Sequence, residues 1–270
     1  MNRVSKMGLW KMAGIATAAC FVAAGGVQAQ SQGFGHLSGT LSAGYDRFDT
    51  DGHTVNDFNA SGSAVLTLDN PGGNIQVNTN NDALKLNGND RDVWTYGADM
   101  YWRDYAGDFG VNFTEGTNLT TTGHDFYSGG FFGEFYIFPH LTLRAKGGRV
   151  QGDSDGWYGD TGLVYYPLDQ VAISVTGDYA RFQHDGPRVT DGQFSIEYLP
   201  VRDVPVSLTL GYTYARYQNL TGGLGGDTNI FSIALKAYFG GVRSGGLVDY
   251  HRNTATNWDG APASLVGTTF

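Results

Sequence analysis

The segment Phe231–Phe239 reads F-S-I-A-L-K-A-Y-F, and it decides the fold class of this chain. Its odd positions, such as Ile233 and Leu235, are apolar, whereas Lys236 lies among the even positions. Successive side chains of a β-strand point to opposite faces, so the pattern predicts a strand with one apolar and one polar face. A further 31 residues follow this strand.

The same two-residue period recurs along the chain. It is clear in 37–47, 58–68, 94–103, 171–179 and 206–214, and weaker in 74–79, 109–114, 126–138, 141–150, 158–166 and 192–199. Together with 231–239, these segments predict twelve strands.

The connections between the predicted strands alternate in length. Short ones carry turn residues and lie at 69–73, 104–108, 138–140, 167–170 and 200–205. Longer polar ones lie at 48–57, 79–92, 115–125, 151–157, 183–191 and 218–228. Short periplasmic turns and longer extracellular loops are typical of a transmembrane antiparallel up-and-down β-barrel. An even strand count then puts both ends of the barrel on the periplasmic side.

A soluble β-sandwich is the alternative fold for this pattern. The polar face of a sandwich strand is exposed to water and is rich in charges, but here it is mostly Ser, Thr, Gly and Asn. The apolar face carries aromatic residues near strand ends, namely Trp94, Trp102, Tyr179, Tyr212, Tyr214, Phe231 and Phe239. Rings at both ends of an apolar band mark the two interfaces of a membrane, so the pattern favours the barrel.

The N-terminus has the features of an export signal. Arg3, Lys6 and Lys11 precede the apolar run 12–24, and V-Q-A predicts cleavage after Ala29. Without these three basic residues, 14 Lys and Arg remain against 26 Asp and Glu, a net charge of −12 that argues against nucleic-acid binding. The only cysteine lies in the signal, which excludes a disulfide framework and a cysteine nucleophile in residues 30–270.

In its signal, alternating strands and aromatic girdles, the chain resembles a bacterial outer-membrane β-barrel of the porin-like kind, with the barrel covering 35–239. The resemblance implies location in the cell outer membrane. It also implies insertion by the barrel assembly machinery, which would read a closing strand with an aromatic end, such as 231–239. The predicted organisation is a cleaved signal at 1–29, a transmembrane barrel at 30–239, and a periplasmic tail or lumen plug at 240–270.

Charged residues on the inward face are the candidate functional residues. By strand phase they are Asp99, Arg103, Glu134, Arg144, Lys146, Glu197 and Lys236. Folding the hairpin about Pro139 places Glu134 opposite Arg144, which predicts an ion pair on the lumen wall. These residues favour a passive pore for ions and small hydrophilic solutes, with mixed charge along its wall.

A second function fits the same pattern. Twelve strands enclose less space than the ~16–18 strands of open porins. The bulky inward residues Tyr101, Phe132 and Tyr136, together with the tail, could then seal a non-conducting structural or binding barrel. The sequence leaves this alternative and the oligomeric state open.

A short repeat, Tyr-x-Arg followed by an aromatic residue, occurs at three predicted strand exits. Its arginines are Arg47, Arg181 and Arg216, which share the lipid-facing phase. A planar guanidinium binds phosphate well, so contact with lipopolysaccharide is predicted. The alternative is that these arginines only extend into water at the strand end.

No catalytic, metal or cofactor site is predicted. Asp160 and Asp178 fall opposite each other beside the acidic loop 153–160, but this loop lacks the later ligands of a calcium-binding loop. His36 and Ser38 share a face without a third group to orient them, so an enzyme is not expected.

The tail 240–270 has no clean period but carries apolar residues, among them Leu247, Val248 and Tyr250. We expect it to fold into the lumen as a plug or to lie under the barrel. A further strand at 263–270 is the remaining alternative.

Overall fold

A computed structural model describes residues 36–50, 53–68, 73–86, 89–118, 126–151, 155–182, 188–202, 204–218, 226–240 and 246–254. It contains twelve strands within these ranges. They are β1 (His36–Thr50), β2 (His53–Thr67), β3 (Gly73–Leu86), β4 (Asn89–Arg103), β5 (Gly107–Asn118), β6 (Phe126–Phe138), β7 (Leu141–Gln151), β8 (Gly156–Leu168), β9 (Val171–Phe182), β10 (Arg188–Tyr198), β11 (Val206–Gln218) and β12 (Gly226–Phe239).

The strands form one closed antiparallel barrel in which each strand pairs with its neighbours in sequence. The ring is completed by β1 and β12, which pair from Gly39 opposite Phe239 to Thr50 opposite Thr228. The predicted twelve-stranded up-and-down barrel is therefore confirmed, and its closure requires no strand from 263–270. That segment and the predicted signal 1–29 lie outside the described residues.

The two faces of each strand differ as the alternation predicts. Outward side chains are large, apolar and exposed: Leu235 is 58% exposed, Met100 57% and Trp102 54%. Inward neighbours are buried and often polar, and Asp99 is 1% exposed. An apolar belt of this extent around a closed barrel requires lipid as its solvent.

Two connections are much shorter than predicted, more so than the others. Loops were expected at 48–57 and 79–92, but β1 continues to Thr50 and β2 begins at His53, while β3 and β4 are separated only by residues 87 and 88. Backbone pairing continues to Thr50 opposite His53 in the first hairpin and to Leu86 opposite Asn89 in the second. The two-residue period is lost there although the backbone pairing continues, so sequence alternation underestimates these strands.

The end of the barrel that holds the turns at 104–106, 139–140 and 169–170 is called the periplasmic end, following the usual orientation of such barrels. Both the start of β1 and the end of β12 lie there. Gly240, with φ of +69°, turns the chain after β12, and a Cβ at this position would meet the carbonyl oxygen of Leu37 at 1.9 Å.

A short helix, α1 (Leu247–Asn253), follows the last strand. Within the described part of the chain, no helix is both long enough and apolar enough to cross a membrane.

A charge on the outer face tests which side chains meet lipid. We expect Leu235→Arg, on β12 opposite Ala43 at the middle of β1, to lower the free energy of unfolding by about 2–4 kcal/mol. The matched variant Leu168→Arg, at the periplasmic end of β8, should cost at most about 1 kcal/mol, because the arginine reaches the interface. Urea unfolding in phospholipid vesicles measures both, and equal losses would contradict the assignment of the belt.

Candidate functional site

The inward face of the barrel carries a set of charged side chains that interact across neighbouring strands. The structure places all seven sequence-predicted residues on this face: Asp99, Arg103, Glu134, Arg144, Lys146, Glu197 and Lys236. Their common location on the inner wall follows from strand phase. That they line a conducting pore remains a prediction.

The predicted pairing of Glu134 with Arg144 is confirmed. The two residues are directly opposite in the register of β6 and β7, and Arg144 Nε lies 3.0 Å from Glu134 Oε1. The short turn at Pro139 and His140 fixes this register, which is why local sequence was sufficient to predict it. Glu134 is 1% exposed, so the arginine supplies the counter-charge for a buried carboxylate.

A second ion pair joins Arg103 to Asp108 at the periplasmic end. The Arg103 Nε and Nη2 atoms donate to the Asp108 carboxylate at 2.7–3.0 Å, and the Tyr136 hydroxyl donates to Asp108 Oδ1 at 3.0 Å. Sequence analysis missed Asp108 because it assigned 104–108 to a turn, whereas β5 already begins at Gly107.

Glu197, at the end of β10, is the centre of a buried polar cluster. Its Oε1 atom accepts from the Ser207 hydroxyl at 2.5 Å and from the Tyr238 hydroxyl. Lys236 is near enough to act on it electrostatically. The carboxylate therefore holds hydrogen bonds from two neighbouring strands, which stabilise its charged form in a buried place.

Residue His251 of α1 completes this cluster. Its Nε2 atom lies 3.1 Å from Glu197 Oε2 and 2.9 Å from the Tyr238 hydroxyl, and its Nδ1 atom lies 3.1 Å from the Tyr166 hydroxyl. All of these partners have inward-facing side chains, so α1 sits inside the periplasmic mouth. Sequence analysis missed His251, because the tail has no period from which the face of a residue can be assigned.

Two further groups of contacts hold α1. Arg252 donates to the carbonyl oxygen of Phe138 at 2.8 Å and to Thr142 Oγ1 at 3.1 Å, and its guanidinium lies 4.4 Å from the Tyr136 ring centre. On its apolar side, α1 joins a cluster of inward-facing residues from β8, β9 and β12 and from the turn after β10. This cluster comprises Val164, Tyr166, Ala172, Leu199, Tyr238, Leu247 and Tyr250, with Val248 at its edge.

Carboxylates dominate the inner wall toward the opposite, long-loop end. Asp160, Asp178 and Asp191 are consecutive register partners across β8, β9 and β10, so the predicted opposition of Asp160 and Asp178 is confirmed. Asp46 and Asp57 form a further opposed pair on β1 and β2.

Among the described side chains that face inward in this outer half, only Lys146 is basic, and its Nζ is 3.9 Å from Asp160 Oδ2. The inner wall of the outer half therefore carries more carboxyl groups than basic groups, whereas Glu134, Asp108 and Glu197 of the periplasmic half have arginine, lysine or histidine neighbours. The described residues contain no group of three or more His, Cys, Asp or Glu side chains arranged to hold a metal ion.

The three arginines predicted to contact lipopolysaccharide are exposed on the outside of the barrel. Arg47 Nε lies 3.2 Å from Asp49 Oδ2, and Arg216 Nε lies 2.9 Å from Asp227 Oδ1. The guanidiniums of Arg47 and Arg216 thus already have a carboxylate partner at the barrel surface. Arg181 is the remaining arginine of the set.

The barrel is similar in structure to several solved outer-membrane proteins. The barrel is similar to the KdgM porin (TM-score 0.53, 9% identity, 73% of this chain and 99% of the porin) and to the NanC porin (0.54, 12%, 74% and 98%). It is also similar to an outer membrane channel from Pseudomonas putida F1 (0.56, 8%, 79% and 98%). This chain has the fold of a porin-like outer-membrane β-barrel.

The likeness does not extend to sequence. No protein-family model matches the chain, and no curated protein matches it either. At identities of 8–12%, the porin-like fold is shared while the side chains inside the barrel are this chain's own.

The buried pair in the wall provides a test of the lumen electrostatics. We expect Arg144→Gln to lower the free energy of unfolding by about 3 kcal/mol, because it leaves the Glu134 carboxylate buried without its counter-charge. The double variant Glu134→Gln with Arg144→Gln should be more stable than this single variant. Urea unfolding in vesicles measures the free energy of unfolding of the wild type, both single variants and the double variant. If the losses of the two single variants add up to that of the double variant, the two groups do not interact.

Proposed function

We propose that the chain forms a passive channel in the outer membrane for ions and small hydrophilic solutes. The observation that carries the proposal is a closed barrel whose outer face is an exposed apolar belt and whose inner face holds charged and hydrogen-bonding groups. The porins and the channel that share the fold support the same role.

In this proposal the inward charges set the selectivity. The wall residues are Asp99, Arg103, Glu134, Arg144, Lys146, Glu197 and Lys236 from the sequence prediction, joined by Asp46, Asp57, Asp108, Asp160, Asp178 and Asp191 from the structure. The route is narrow, because Val65, Tyr101 and Phe132 contact one another inside the barrel. Transport then needs no catalytic group, and we assign none.

Cations are the favoured permeating ions. The acid-rich outer half raises the local concentration of cations and opposes the entry of anions. A structure of the KdgM porin contains oligogalacturonate, which is a polyanion. The row of Asp160, Asp178 and Asp191 would repel such a ligand, so we expect different solutes here despite the similar fold.

The outer surface is assigned by the same reasoning. We propose that Arg47, Arg181 and Arg216 contact lipopolysaccharide phosphates. At Arg47 and Arg216 the phosphates would compete with the carboxylates of Asp49 and Asp227. We further propose that 231–239 is the strand presented to the barrel assembly machinery, since it is the strand that closes the ring on β1.

Single-channel recording in a planar bilayer tests the pore. We expect steady conductance from the mature chain or from a version that ends at Gly241, with larger currents from the shorter chain. Silence from both, with a heat-modifiable folded barrel on a gel, would instead support the non-conducting structural or binding barrel.

The reversal potential in a salt gradient tests the selectivity. We expect cation preference in the wild type, and movement of the cation-to-anion permeability ratio toward unity in the triple variant Asp160→Asn, Asp178→Asn, Asp191→Asn. The matched control, Asp49→Asn with Asp227→Asn, also removes acidic residues but from the outside of the barrel, and it should change the ratio little. A larger effect from the control would contradict the assignment of the outer lumen.

A further inference from the structure

The segment formed by residues 246–254, here called the plug segment, contacts walls on opposite sides of the barrel. His251 reaches Glu197 on β10, whereas the carbonyl oxygen of Thr254 accepts from Arg103 Nη2 on β4 at 3.0 Å. In a ring of twelve strands, β4 and β10 are six positions apart and face each other. Together with the Glu197 and Arg103 side chains, the plug segment therefore bridges opposite walls of the periplasmic mouth.

We propose that the plug segment is a releasable closure of the channel, held in the mouth by a latch of His251 on Glu197 and of Arg252 on the β6–β7 turn. This inference rests on the proposed channel function and adds a gate to it. When the latch breaks, the helix leaves the mouth and the periplasmic end opens.

The attachment is of a kind that can be undone. An isolated helix of seven residues is not stable in water, so α1 persists only through its contacts with the wall. These contacts are one small apolar patch, centred on Leu247 and Tyr250, and a few hydrogen bonds. Because folding and docking of α1 are one event, the loss of one strong contact shifts the whole segment toward release.

The position of His251 makes the latch sensitive to pH. In the neutral ring, Nε2–H can donate to Glu197 while Nδ1 accepts from the Tyr166 hydroxyl, so both ring nitrogens are satisfied. Protonation adds a second N–H and a charge that must be held without water. The groups that face His251 are Glu197 on β10, Lys236 and Tyr238 on β12, Tyr166 on β8 and Arg144 on β7, with Arg252 beside it in α1.

The direction of the pH effect follows from these neighbours. Burial lowers the pKa of His251 below its ordinary 6.5, with Lys236 and Arg144 acting in the same direction and Glu197 opposing them. The docked segment therefore favours the neutral ring. The contribution of His251 to docking is complete above the ordinary pKa and is lost as the pH falls through the lowered one, so acidification favours release.

Thiol labelling measures docking directly, without reference to conductance. The mature chain lacks cysteine, so a single cysteine can serve as a reporter. Leu247 is 0% exposed in the docked segment, and Leu247→Cys should react slowly with a water-soluble maleimide. Asp249 is exposed on the same helix, and Asp249→Cys should react rapidly whether or not the segment is docked.

We expect His251→Ala to raise the labelling rate of Leu247→Cys about tenfold or more, the loss associated with one hydrogen bond to a charged partner. Asp249→Asn, in the Leu247→Cys background, is the matched control and should leave the rate unchanged. Lowering the pH from about 7.5 to about 5 should raise the ratio of the Leu247→Cys rate to the Asp249→Cys rate. That ratio corrects for the weaker thiol reactivity in acid.

Recordings of the same variants connect docking to transport. Larger conductance in His251→Ala, with the barrel still heat-modifiable on a gel, is the expected result. Glu197→Gln tests the latch from the barrel side and should act in the same direction. If labelling of Leu247→Cys is unaffected by His251→Ala and by acid, the latch is overturned whatever the currents show. If labelling rises while every variant stays silent, the channel function fails and the latch stands.

Discussion

The pairing of β1 with β12 is the constraint on which the rest of this structure depends. In the hydrocarbon of a bilayer there is no water to satisfy backbone N–H and C=O groups, so a sheet can cross it only if its two edge strands pair. Twelve residue pairs from Gly39–Phe239 to Thr50–Thr228 close the ring. Closure then fixes which alternate side chains meet lipid and which turn inward.

Inside the barrel, the groups that need partners are the buried polar and charged side chains. In a narrow barrel the inward charges are removed from bulk water, so each needs a partner. In the periplasmic half the carboxylates have cationic or hydrogen-bonding neighbours: Glu134 with Arg144, Asp108 with Arg103, and Glu197 with His251. The outer half instead places Asp160, Asp178 and Asp191 in one row beside a single inward-facing lysine, Lys146, among the described side chains. In the proposed channel the two halves then have different tasks: the outer half attracts cations, and the periplasmic half holds the plug segment.

The plug segment depends on the barrel wall for its own folding. Its helix is too short to fold alone, and it is ordered by a wall that already carries the partners it needs. Of the polar groups that hold it, Glu197 and Tyr166 lie 54 and 85 residues before His251, whereas Tyr238 belongs to β12, the strand that precedes α1. The same closure that forms the barrel therefore also assembles the site for the segment that crosses its mouth.

The sequence by itself determined the twelve strands, their faces and the pairing of Glu134 with Arg144, because alternation and a tight turn act over a few residues. It underestimated β1 to β4, because the apolar period is absent from 48–57 and 79–92 although the backbone pairing continues there. Only the tertiary structure brought His251 to Glu197, 54 residues earlier in the chain, and Thr254 to Arg103, 151 residues earlier. Contacts of this kind depend on where the closed ring places its walls, and no local period carries that information.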